Sequence, residues 1–199
     1  MSEPSAKSSI RKHLRETLEA MSDVDRHARS LAACAVVTGS AEFAAARCIM
    51  LYLSTAHEVD TASLALRAWQ EGKTVVVPKV AWDQRRMLPV EISSLTTGMT
   101  TTGPGVREPI AGNPMPIEFI DLVIVPGLGF TETGYRIGRG MGFYDRFLAQ
   151  PGFSGLSCGV AFTEQIIHDL PILDHDMPLS MLATENGLKR FASNCIEKK

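Results

Sequence analysis

The sequence predicts an α/β fold with a largely parallel sheet, and two observations carry that prediction. Short apolar runs rich in β-branched residues, typical of buried strands, lie at 48–53, 74–78, 121–126 and 156–162. Stretches in which apolar residues recur at helical spacing alternate with these runs. Crossovers between parallel strands are right-handed, so the loops that leave the strands meet at one edge, where ligands bind in open α/β sheets.

The composition of the chain limits the partners that it can take. Its 199 residues suffice for one sizeable core, and we expect a single domain over 1–199. A formal net charge of −2 gives no electrostatic footprint for nucleic acid. No run approaches the roughly 18 apolar residues of a membrane-spanning helix, so we expect no membrane partner. The four cysteines form no C-x-x-C pair, which disfavours structural zinc and favours reduced, mostly buried thiols in a cytoplasmic protein.

The first helix is predicted over 5–21, where apolar residues recur at helical spacing. One edge of this helix is basic, because Lys7, Arg11 and Arg15 follow one another at intervals of four residues. Like charges at this spacing destabilise an isolated helix by roughly a few tenths of a kcal/mol per pair. The basic edge is therefore either simply solvated or compensated by a bound anion.

A second helix is predicted to begin after Ser22 and to end at Gly39. The pattern Ser22-x-x-Asp25 resembles a capping signal, and glycine is typical of a helix end. Apolar residues at helical spacing are expected to form its buried face. These residues are Val24, Ala28, Leu31 and Ala35.

The first predicted strand, 48–53, is followed by a loop that carries Glu58 and by a helix over 62–70, which Thr61 is expected to cap. The strand at 74–78 completes a βαβ unit. Glu58 is thereby placed at the predicted ligand-facing edge of the sheet. It is either an ordinary solvated carboxylate of a loop or a ligand contact.

The segment 81–116 contains one predicted strand, 87–92, and is otherwise rich in Thr, Gly and Pro. Long loops inside compact domains are usually functional or mobile. We therefore interpret this segment as a flap that covers a substrate, with Glu108-Pro109 as a fixed turn.

The stretch 121–148 is the centre of the functional argument. After the buried strand 121–126, glycines recur through a loop that also carries Arg136 and Arg139, and a helical pattern resumes at 143–148. Such a loop lets backbone N–H groups and two guanidiniums approach a polyphosphate. It lacks the Gly-Lys-Ser/Thr ending of a P-loop and the G-x-G-x-x-G spacing of a dinucleotide fingerprint. The alternative is an ordinary glycine-rich surface loop. The glycines are Gly134, Gly138, Gly140 and Gly142.

The C-terminal part adds a possible metal site. Asp174, His175 and Asp176 follow the predicted strand 156–162 by a short distance. Mg²⁺ asks for only one or two carboxylates when phosphate oxygens supply other ligands, so the cluster is either a magnesium site or a polar turn. A last short strand is predicted at 181–184, and 189–199 is expected to be a frayed end.

Several motifs taken together resemble the 5-formyltetrahydrofolate cyclo-ligase family, also called methenyltetrahydrofolate synthetase. The resemblance covers nearly the whole chain, and the central segment is its most specific part. It implies a three-layer α/β/α sandwich with a largely parallel central sheet, and an enzyme that needs ATP and Mg²⁺ to convert 5-formyltetrahydrofolate to 5,10-methenyltetrahydrofolate. We expect a monomer. The motifs are Lys7-x-x-Ile10-Arg11, Glu58-Val-Asp-Thr61, Gly105-x-x-Glu108-Pro109, Val125-Pro-Gly-Leu-Gly-Phe130, Gly134-x-Arg136-x-Gly138-x-Gly140-x-Gly142-Phe-Tyr-Asp145-Arg, Ala161-Phe-x-x-Gln165 and Asp174-His-Asp176.

The resemblance also implies roles for individual residues. Arg136 and Arg139 are expected to be catalytic. Asp145 and Asp176 are expected to bind Mg²⁺. Three further residues are expected to contact the folate. These are Leu53, Glu58 and Tyr144. The residues implied to hold ATP are Lys7, Arg11, Arg136, Ile137, Gly138, Arg139, Gly140, Met141, Gly142, Phe143 and Tyr144.

The chain departs from the family's usual pattern at a few positions. Met141 stands where Gly or Lys is frequent, Phe143 where Tyr is frequent, and Thr131 and Ser180 where Asp is frequent. Met141 leaves open a second hypothesis, a reduced-folate binding protein without catalytic activity. A third is a sugar-phosphate isomerase of similar architecture, which would work without ATP.

Overall fold

The computed structural model describes residues 3–102 and 105–192. Its helices are α1 (Glu3–Glu19), α2 (Asp23–Thr38), α3 (Ala41–Ala45), α4 (Ala62–Gln70) and α5 (Phe143–Leu148). Its strands are β1 (Cys48–Met50), β2 (Thr74–Ala81), β3 (Arg86–Glu91), β4 (Met99–Thr102), β5 (Val106–Pro109), β6 (Leu122–Val125), β7 (Gly129–Thr131), β8 (Arg136–Ile137), β9 (Leu156–Val160), β10 (Ile166–Ile167), β11 (Met181–Thr184) and β12 (Gly187–Arg190). Short 3₁₀ turns lie at Ile117–Phe119 and Thr163–Gln165.

The main sheet has seven strands in the order β12-β11-β9-β6-β1-β2-β3. The strands from β11 to β2 pair in parallel, and β12 and β3 are antiparallel edges. All residues of β1 and β6 are buried, which is why their sequences are apolar without interruption. The predicted α/β fold with its largely parallel sheet is confirmed.

Side chains of the central strands point alternately to two apolar clusters. Leu122 and Ile124 join one cluster, which contains Leu14 of α1 and the buried residues of α2 and α4. Val123 and Val125 join the other cluster, which contains Phe147 of α5. The sheet is therefore covered on both faces, as a three-layer sandwich requires.

The order of the strands creates a switch point between β1 and β6. From β1 the chain moves to β2 on one side, and the later strands β6, β9 and β11 continue on the other side. The loops that leave β1 and β6 therefore diverge and open a crevice beyond the carboxyl ends of these strands. Ligands of open α/β sheets bind in crevices of this kind.

The predicted bounds of α2 are confirmed, but its predicted buried face is wrong. Ser22 accepts a hydrogen bond from the N–H of Asp25, as a cap should. Val24 is 79% exposed and Leu31 47% exposed, and Ala28 and Ala35 are exposed as well. The buried face consists of Arg26, Ser30, Ala33, Cys34 and Val37.

Arg26 explains this difference. Its guanidinium donates to the carbonyl oxygens of Leu18 and Met21, at the end of α1, and pairs with Asp23. Carbonyls at a helix end lack partners within the helix, so a buried arginine satisfies them. Arg26 thus anchors the start of α2 to the end of α1. The small residues that follow it on this face pack toward β11 and α4, and apolar periodicity does not reveal such a face.

The predicted cap of α4 is also corrected. Thr61 precedes the helix, but its hydroxyl donates to the carbonyl oxygen of Tyr52 at 2.6 Å and makes no cap hydrogen bond. Asp60 takes part of that role, because its Oδ1 accepts from the N–H of Ala62 at 3.0 Å. Thr61 therefore ties the loop after β1 to the helix.

The segment 81–116 is more regular than the irregular loop that the sequence predicted. β2 extends to Ala81 and pairs with β3, and β4 and β5 form an antiparallel hairpin. Glu108 lies within β5, is buried, and accepts a hydrogen bond from the N–H of Val80 at 3.1 Å. Glu108-Pro109 is thus the end of a strand held against β2, and not a turn.

The chain end is more regular than expected. β12 pairs with β11, so Lys189 and Arg190 belong to an edge strand; residues 193–199 lie outside the described part. Cys34, Cys48 and Cys158 are free and buried, as predicted, while Cys195 also lies outside that part. Burial raises the pKa of the Cys34 and Cys48 thiols to about 11. In the described ranges, no helix is long and apolar enough to cross a membrane.

Candidate active site

A cavity of about 520 Å³ occupies the switch point of the sheet. The loops that follow β1 and β6 form its floor, and α1, the β2–β3 hairpin and the segment before α5 form its walls. Asp174 of the predicted metal cluster does not line this cavity. The structure does bring together here every residue to which the resemblance assigns a role. They are Lys7, Arg11, Leu53, Glu58, Arg136, Ile137, Gly138, Arg139, Gly140, Met141, Gly142, Phe143, Tyr144, Asp145 and Asp176.

The glycine-rich segment enters the cavity from a small hairpin that the sequence did not predict. β7 pairs with β8, and β10 pairs with β7 to make a separate three-stranded sheet. Ile137 is buried in the core and its carbonyl accepts from Leu128 N–H at 2.8 Å, so the hairpin is anchored. The turn that follows, Gly138 to Gly142, is consequently presented on a rigid support.

Two glycines of this turn need their lack of a side chain. Gly140 has a φ of +100° and Gly142 a φ of +63°, a region that other residues rarely adopt. A Cβ atom at Gly140 would lie 3.5 Å from the guanidinium of Arg11. The backbone of the turn therefore packs directly against a cationic group from α1.

The basic edge of α1 faces the cavity. Arg11 donates from Nε to the carbonyl oxygen of Gly138 at 2.9 Å, and Lys7 donates from Nζ to Oδ2 of Asp176 at 2.8 Å. The side chain of Lys7 is only 12% exposed, whereas Arg15, one turn further along, is exposed to solvent. Simple solvation therefore describes Arg15 but not Lys7 or Arg11.

Asp145 and Arg136 form an ion pair on another wall, in which Arg136 is buried and Asp145 is partly exposed. Nη2 of Arg136 donates to Oδ1 of Asp145 at 2.9 Å, and Nη1 donates to the carbonyl oxygen of Met177 at 3.0 Å. Oδ1 of Asp145 also accepts from the N–H of Met177 at 3.2 Å. Arg136 thus fixes the orientation of Asp145. The second oxygen of this carboxylate, Oδ2 of Asp145, takes no part in these bonds.

Asp176 is the second carboxylate of the cavity. Burial raises its pKa, but hydrogen bonds from Lys7 and from the N–H of Leu173 outweigh burial and hold the pKa below the ordinary value. In the described part of the chain, no cluster of three or more His, Cys, Asp or Glu side chains could hold a metal. Asp145 and Asp176 alone could hold Mg²⁺ only where phosphates and water supply its remaining ligands.

Glu58 and Arg139 meet across the cavity mouth. Oε1 of Glu58 accepts from Nη2 of Arg139 at 3.1 Å, and Oε2 accepts from both the N–H and the hydroxyl of Thr55 at 2.9 Å. The same nitrogen of Arg139 donates to Oγ1 of Thr55 at 2.8 Å. The side chain of Arg139 is half exposed, so it lies on the solvent side of the more buried Glu58.

Tyr144 carries an unpartnered buried hydroxyl. The oxygen is inaccessible to solvent and has no hydrogen-bond partner among the described residues. Burial raises the pKa of this phenol, and the negative charge of Glu58 raises it further, so the hydroxyl is a neutral donor at physiological pH. A buried polar atom without a partner is costly, so this hydroxyl does not contribute to the stability of the fold.

A family model described as the 5-formyltetrahydrofolate cyclo-ligase family matches residues 3–185. The chain belongs to the 5-formyltetrahydrofolate cyclo-ligase family. The resemblance drawn from the motifs is therefore confirmed, and the family is one of enzymes that act on a folate.

Two relatives of the cyclo-ligase family cover at least two thirds of the chain. The mouse 5-formyltetrahydrofolate cyclo-ligase is 28% identical over 193 residues, which span 92% of this chain and 95% of the mouse protein. The Haemophilus influenzae 5-formyltetrahydrofolate cyclo-ligase is 31% identical over 137 residues, 67% of this chain and 73% of that protein.

Solved structures agree with the fold. The 5,10-methenyltetrahydrofolate synthetase of Aquifex aeolicus superposes with a TM-score of 0.80 at 30% identity and covers 92% of each chain. The 5,10-methenyltetrahydrofolate synthetase of Mycoplasma pneumoniae gives a TM-score of 0.74 at 21% identity, over 90% of this chain and 98% of that chain. The second likeness supports the fold alone.

Sequence reasoning missed several cavity residues in this member of the cyclo-ligase family. Thr55 bonds to both Glu58 and Arg139, and Arg107 projects into the cavity from β5. Trp82 and Arg85 lie in the β2–β3 turn on the far wall. Two of these residues could have been found from the sequence. Arg107 lies within the Gly105-x-x-Glu108 motif, and Trp82 is one of only two tryptophans in the chain.

Proposed function

We propose that this protein catalyses the cyclisation of 5-formyltetrahydrofolate to 5,10-methenyltetrahydrofolate, with hydrolysis of ATP to ADP and phosphate and a requirement for Mg²⁺. The observation that carries the proposal is the meeting of α1 with the glycine turn. Arg11 contacts Gly138, and Lys7 contacts one of two carboxylates in the same cavity. A metal-bound polyphosphate binds where cationic side chains and free backbone N–H groups can contact its phosphates and carboxylates can contact its metal.

The chemistry explains why ATP is required. The formamide carbon is a poor electrophile, and its oxygen is a poor leaving group. Transfer of the γ-phosphoryl group to the formyl oxygen breaks the bond to ADP and makes that oxygen part of a good leaving group. N10 of the folate then attacks the carbon, phosphate departs with the C–O bond electrons, N10 loses its proton, and the five-membered ring closes.

Such a reaction asks the protein for positioning and for neutralisation of charge, and not for a covalent nucleophile. In this proposal Lys7, Arg11 and the backbone of Gly138 to Gly142 hold the triphosphate. Arg139, which is half exposed beside the turn, stabilises the charge that develops on the transferred group. Arg136 acts through Asp145, because its own donors are bonded to that carboxylate and to Met177.

Mg²⁺ would be held by Asp145 and Asp176 and would neutralise charge on the phosphates. Oδ1 of Asp145 is already oriented by two donors. Asp176 is kept ionised by Lys7. These contacts orient both carboxylates before a metal binds.

The folate would bind on the Glu58 side of the cavity. A carboxylate can accept two hydrogen bonds from the amino and ring N–H groups of a pterin. Leu53 supplies an apolar contact beside it. The hydroxyl of Tyr144 has no partner in the described ranges, and a rotation of this side chain toward the cavity would let it donate to an oxygen or nitrogen of the substrate. This arrangement leaves the formyl group between the folate contacts and the glycine turn.

An absorbance assay tests the proposal. The product contains a conjugated methenyl bridge, so its formation raises near-UV absorbance when protein, 5-formyltetrahydrofolate, Mg²⁺ and ATP are mixed. We expect the rise only with ATP. The exposed side chain of Met141 in the glycine turn favours a second candidate, a non-catalytic folate binder, which would bind the folate without any rise. Turnover without ATP would instead favour an isomerase-like reaction.

We also propose that the chain acts as a single-domain monomer in the cytoplasm. The three buried, free cysteines support a reducing compartment. Light scattering coupled to size-exclusion chromatography tests the monomer, and a mass twice that of the chain would contradict it.

A further inference from the structure

Trp82 is a large apolar side chain that stays 51% exposed although it lies on the wall of the cavity. We infer that Trp82 is a stacking platform for a planar heteroaromatic ring of a substrate, either the pterin of the folate or the adenine of ATP. The identity of these two rings rests on the proposed function. The platform itself rests on the surroundings of the indole.

Two contacts hold Trp82 in place. The residue follows β2 directly, in the turn that leads to β3. Nε of Arg146 donates to the carbonyl oxygen of Arg85 at 2.9 Å and so ties this turn to α5. The indole packs against Phe143 with 5.4 Å between ring centroids and an interplanar angle of 87°. Trp82 is therefore positioned over the cavity by the fold.

The packing leaves indole surface available. In an edge-to-face pair each ring keeps at least one face free, and the guanidinium of Arg146 lies over Phe143, 5.4 Å from its centroid, and not over Trp82. No other aromatic ring pairs with Trp82 in the described ranges. Half of the side chain is thus open to a ligand.

The wall next to Trp82 carries the guanidiniums of Arg85 and Arg146, but it also offers apolar surface that suits a ring. Pro78, Val80 and Met87, from β2 and β3, line the same cavity with apolar atoms. The cations and glycines proposed for the triphosphate belong to other walls, formed by α1 and the turn before α5. Flat heterocycles stack well on aromatic side chains, and the gain is largely independent of their hydrogen-bonding groups. A substrate ring is the occupant that matches this chemistry.

A fluorescence experiment can observe the stacking directly. The chain has two tryptophans, so Trp69→Phe leaves Trp82 as the only one. Acrylamide quenching of Trp82 is then measured with a non-hydrolysable ATP analogue and with 5-formyltetrahydrofolate, each added alone and corrected for ligand absorption. Equilibrium dialysis measures the binding of both ligands independently. Protection by the analogue assigns adenine, protection by the folate assigns the pterin, and protection by both places the indole against both rings.

Affinities in the otherwise unchanged chain give a second readout. We expect Trp82→Ala to raise the Kd of the protecting ligand about tenfold or more, as the loss of one stacked ring does. Trp82→Phe should keep most of the affinity, and the KM of that ligand should rise more than kcat falls. Leu66→Ala is the matched control, because Leu66 is 52% exposed on α4, away from the cavity.

Two results would overturn the inference, and they are distinguishable. If both ligands bind but neither protects Trp82, and Trp82→Ala leaves both Kd values unchanged, the platform is refuted while the proposed function stands. If neither ligand binds the unchanged chain, the proposed function fails and the platform fails with it.

Discussion

Arg139 and Glu58 are hydrogen bonded to each other, with 3.1 Å between Nη2 and Oε1, although the proposed function assigns them to different substrates. Both also bond to Thr55. The pair therefore links a residue proposed for the folate to one proposed for the nucleotide. In the proposed function, a pterin that occupies the carboxylate of Glu58 would free Nη2 of Arg139 for a phosphate.

The first prediction concerns the charge of Arg139. Arg139→Ala should lower kcat by about 100-fold or more, because a donor aimed at developing negative charge is lost. The Kd of 5-formyltetrahydrofolate should change much less, since Thr55 still orients Glu58. Steady-state kinetics and equilibrium dialysis give the two numbers, and Arg139→Lys should retain part of the rate. Unchanged turnover in Arg139→Ala would remove this residue from the mechanism.

The second prediction concerns the metal. Asp145→Asn keeps the shape of the side chain but removes the charge that would bind Mg²⁺, so half-maximal activity should need at least about tenfold more magnesium. Asp174→Asn is the matched control, because Asp174 is exposed and does not line the cavity. A magnesium titration of activity compares the two variants. The same magnesium dependence in both would count against Asp145 as a ligand.

The third prediction concerns the hydroxyl of Tyr144. Tyr144→Phe removes a buried donor that has no partner, so the free energy of unfolding should be unchanged or higher by up to about 1 kcal/mol. Activity should nevertheless fall about tenfold, because the hydroxyl is proposed to bond only to the substrate. Because the pKa of Tyr144 is raised, this loss should not vary with pH near neutrality. A large loss of stability with unaltered kinetics would indicate a purely structural role.

The fourth prediction concerns the ion pair of Lys7 and Asp176. The pKa of Asp176 is lowered in the folded state from an ordinary value of 3.8, so the unfolded chain binds its proton more readily. The pair therefore stabilises the fold above pH 3.8, and this contribution is lost as the pH falls through the folded pKa. Lys7→Met should lower Tm at neutral pH, and the difference should shrink below that value.

The control for this ion pair is Lys12→Met. Lys12 is exposed and lies 3.9 Å from Glu16, so its removal should hardly change Tm. Thermal unfolding followed by circular dichroism across the acidic range measures both variants. A Tm difference for Lys7→Met that stays constant below pH 3.8 would show that the pair does not hold the pKa of Asp176 down.

Elements buried by apolar contacts could be predicted from the sequence, whereas elements positioned by polar contacts could not. The strands at 48–53 and 121–126 were evident because a fully buried parallel strand is apolar at every position. The buried face of α2 was not evident, because Arg26 is placed there by carbonyl oxygens of another helix. The hairpin of β4 and β5 was missed because its Thr-, Gly- and Pro-rich sequence has the composition of a loop.

The site shows the same contrast. The glycine turn and the basic edge of α1 were visible as local patterns, and the structure places both at one cavity. The bond from Arg139 to Thr55 joins residues 84 positions apart, and that from Lys7 to Asp176 joins residues 169 positions apart. Partners of this kind are set by the order of the strands, which no local pattern in the sequence encodes.

The central claim is that α1 and the glycine turn form one nucleotide site, and calorimetric titration with a non-hydrolysable ATP analogue and Mg²⁺ tests it most directly. The variants are Arg11→Ala and Arg15→Ala, which remove the same charge one helical turn apart. Arg11 contacts Gly138, whereas Arg15 is exposed. We expect Arg11→Ala to raise the Kd about tenfold or more and Arg15→Ala to leave it within about twofold of the unchanged chain. Equal affinities for the two variants and the unchanged chain would contradict the claim.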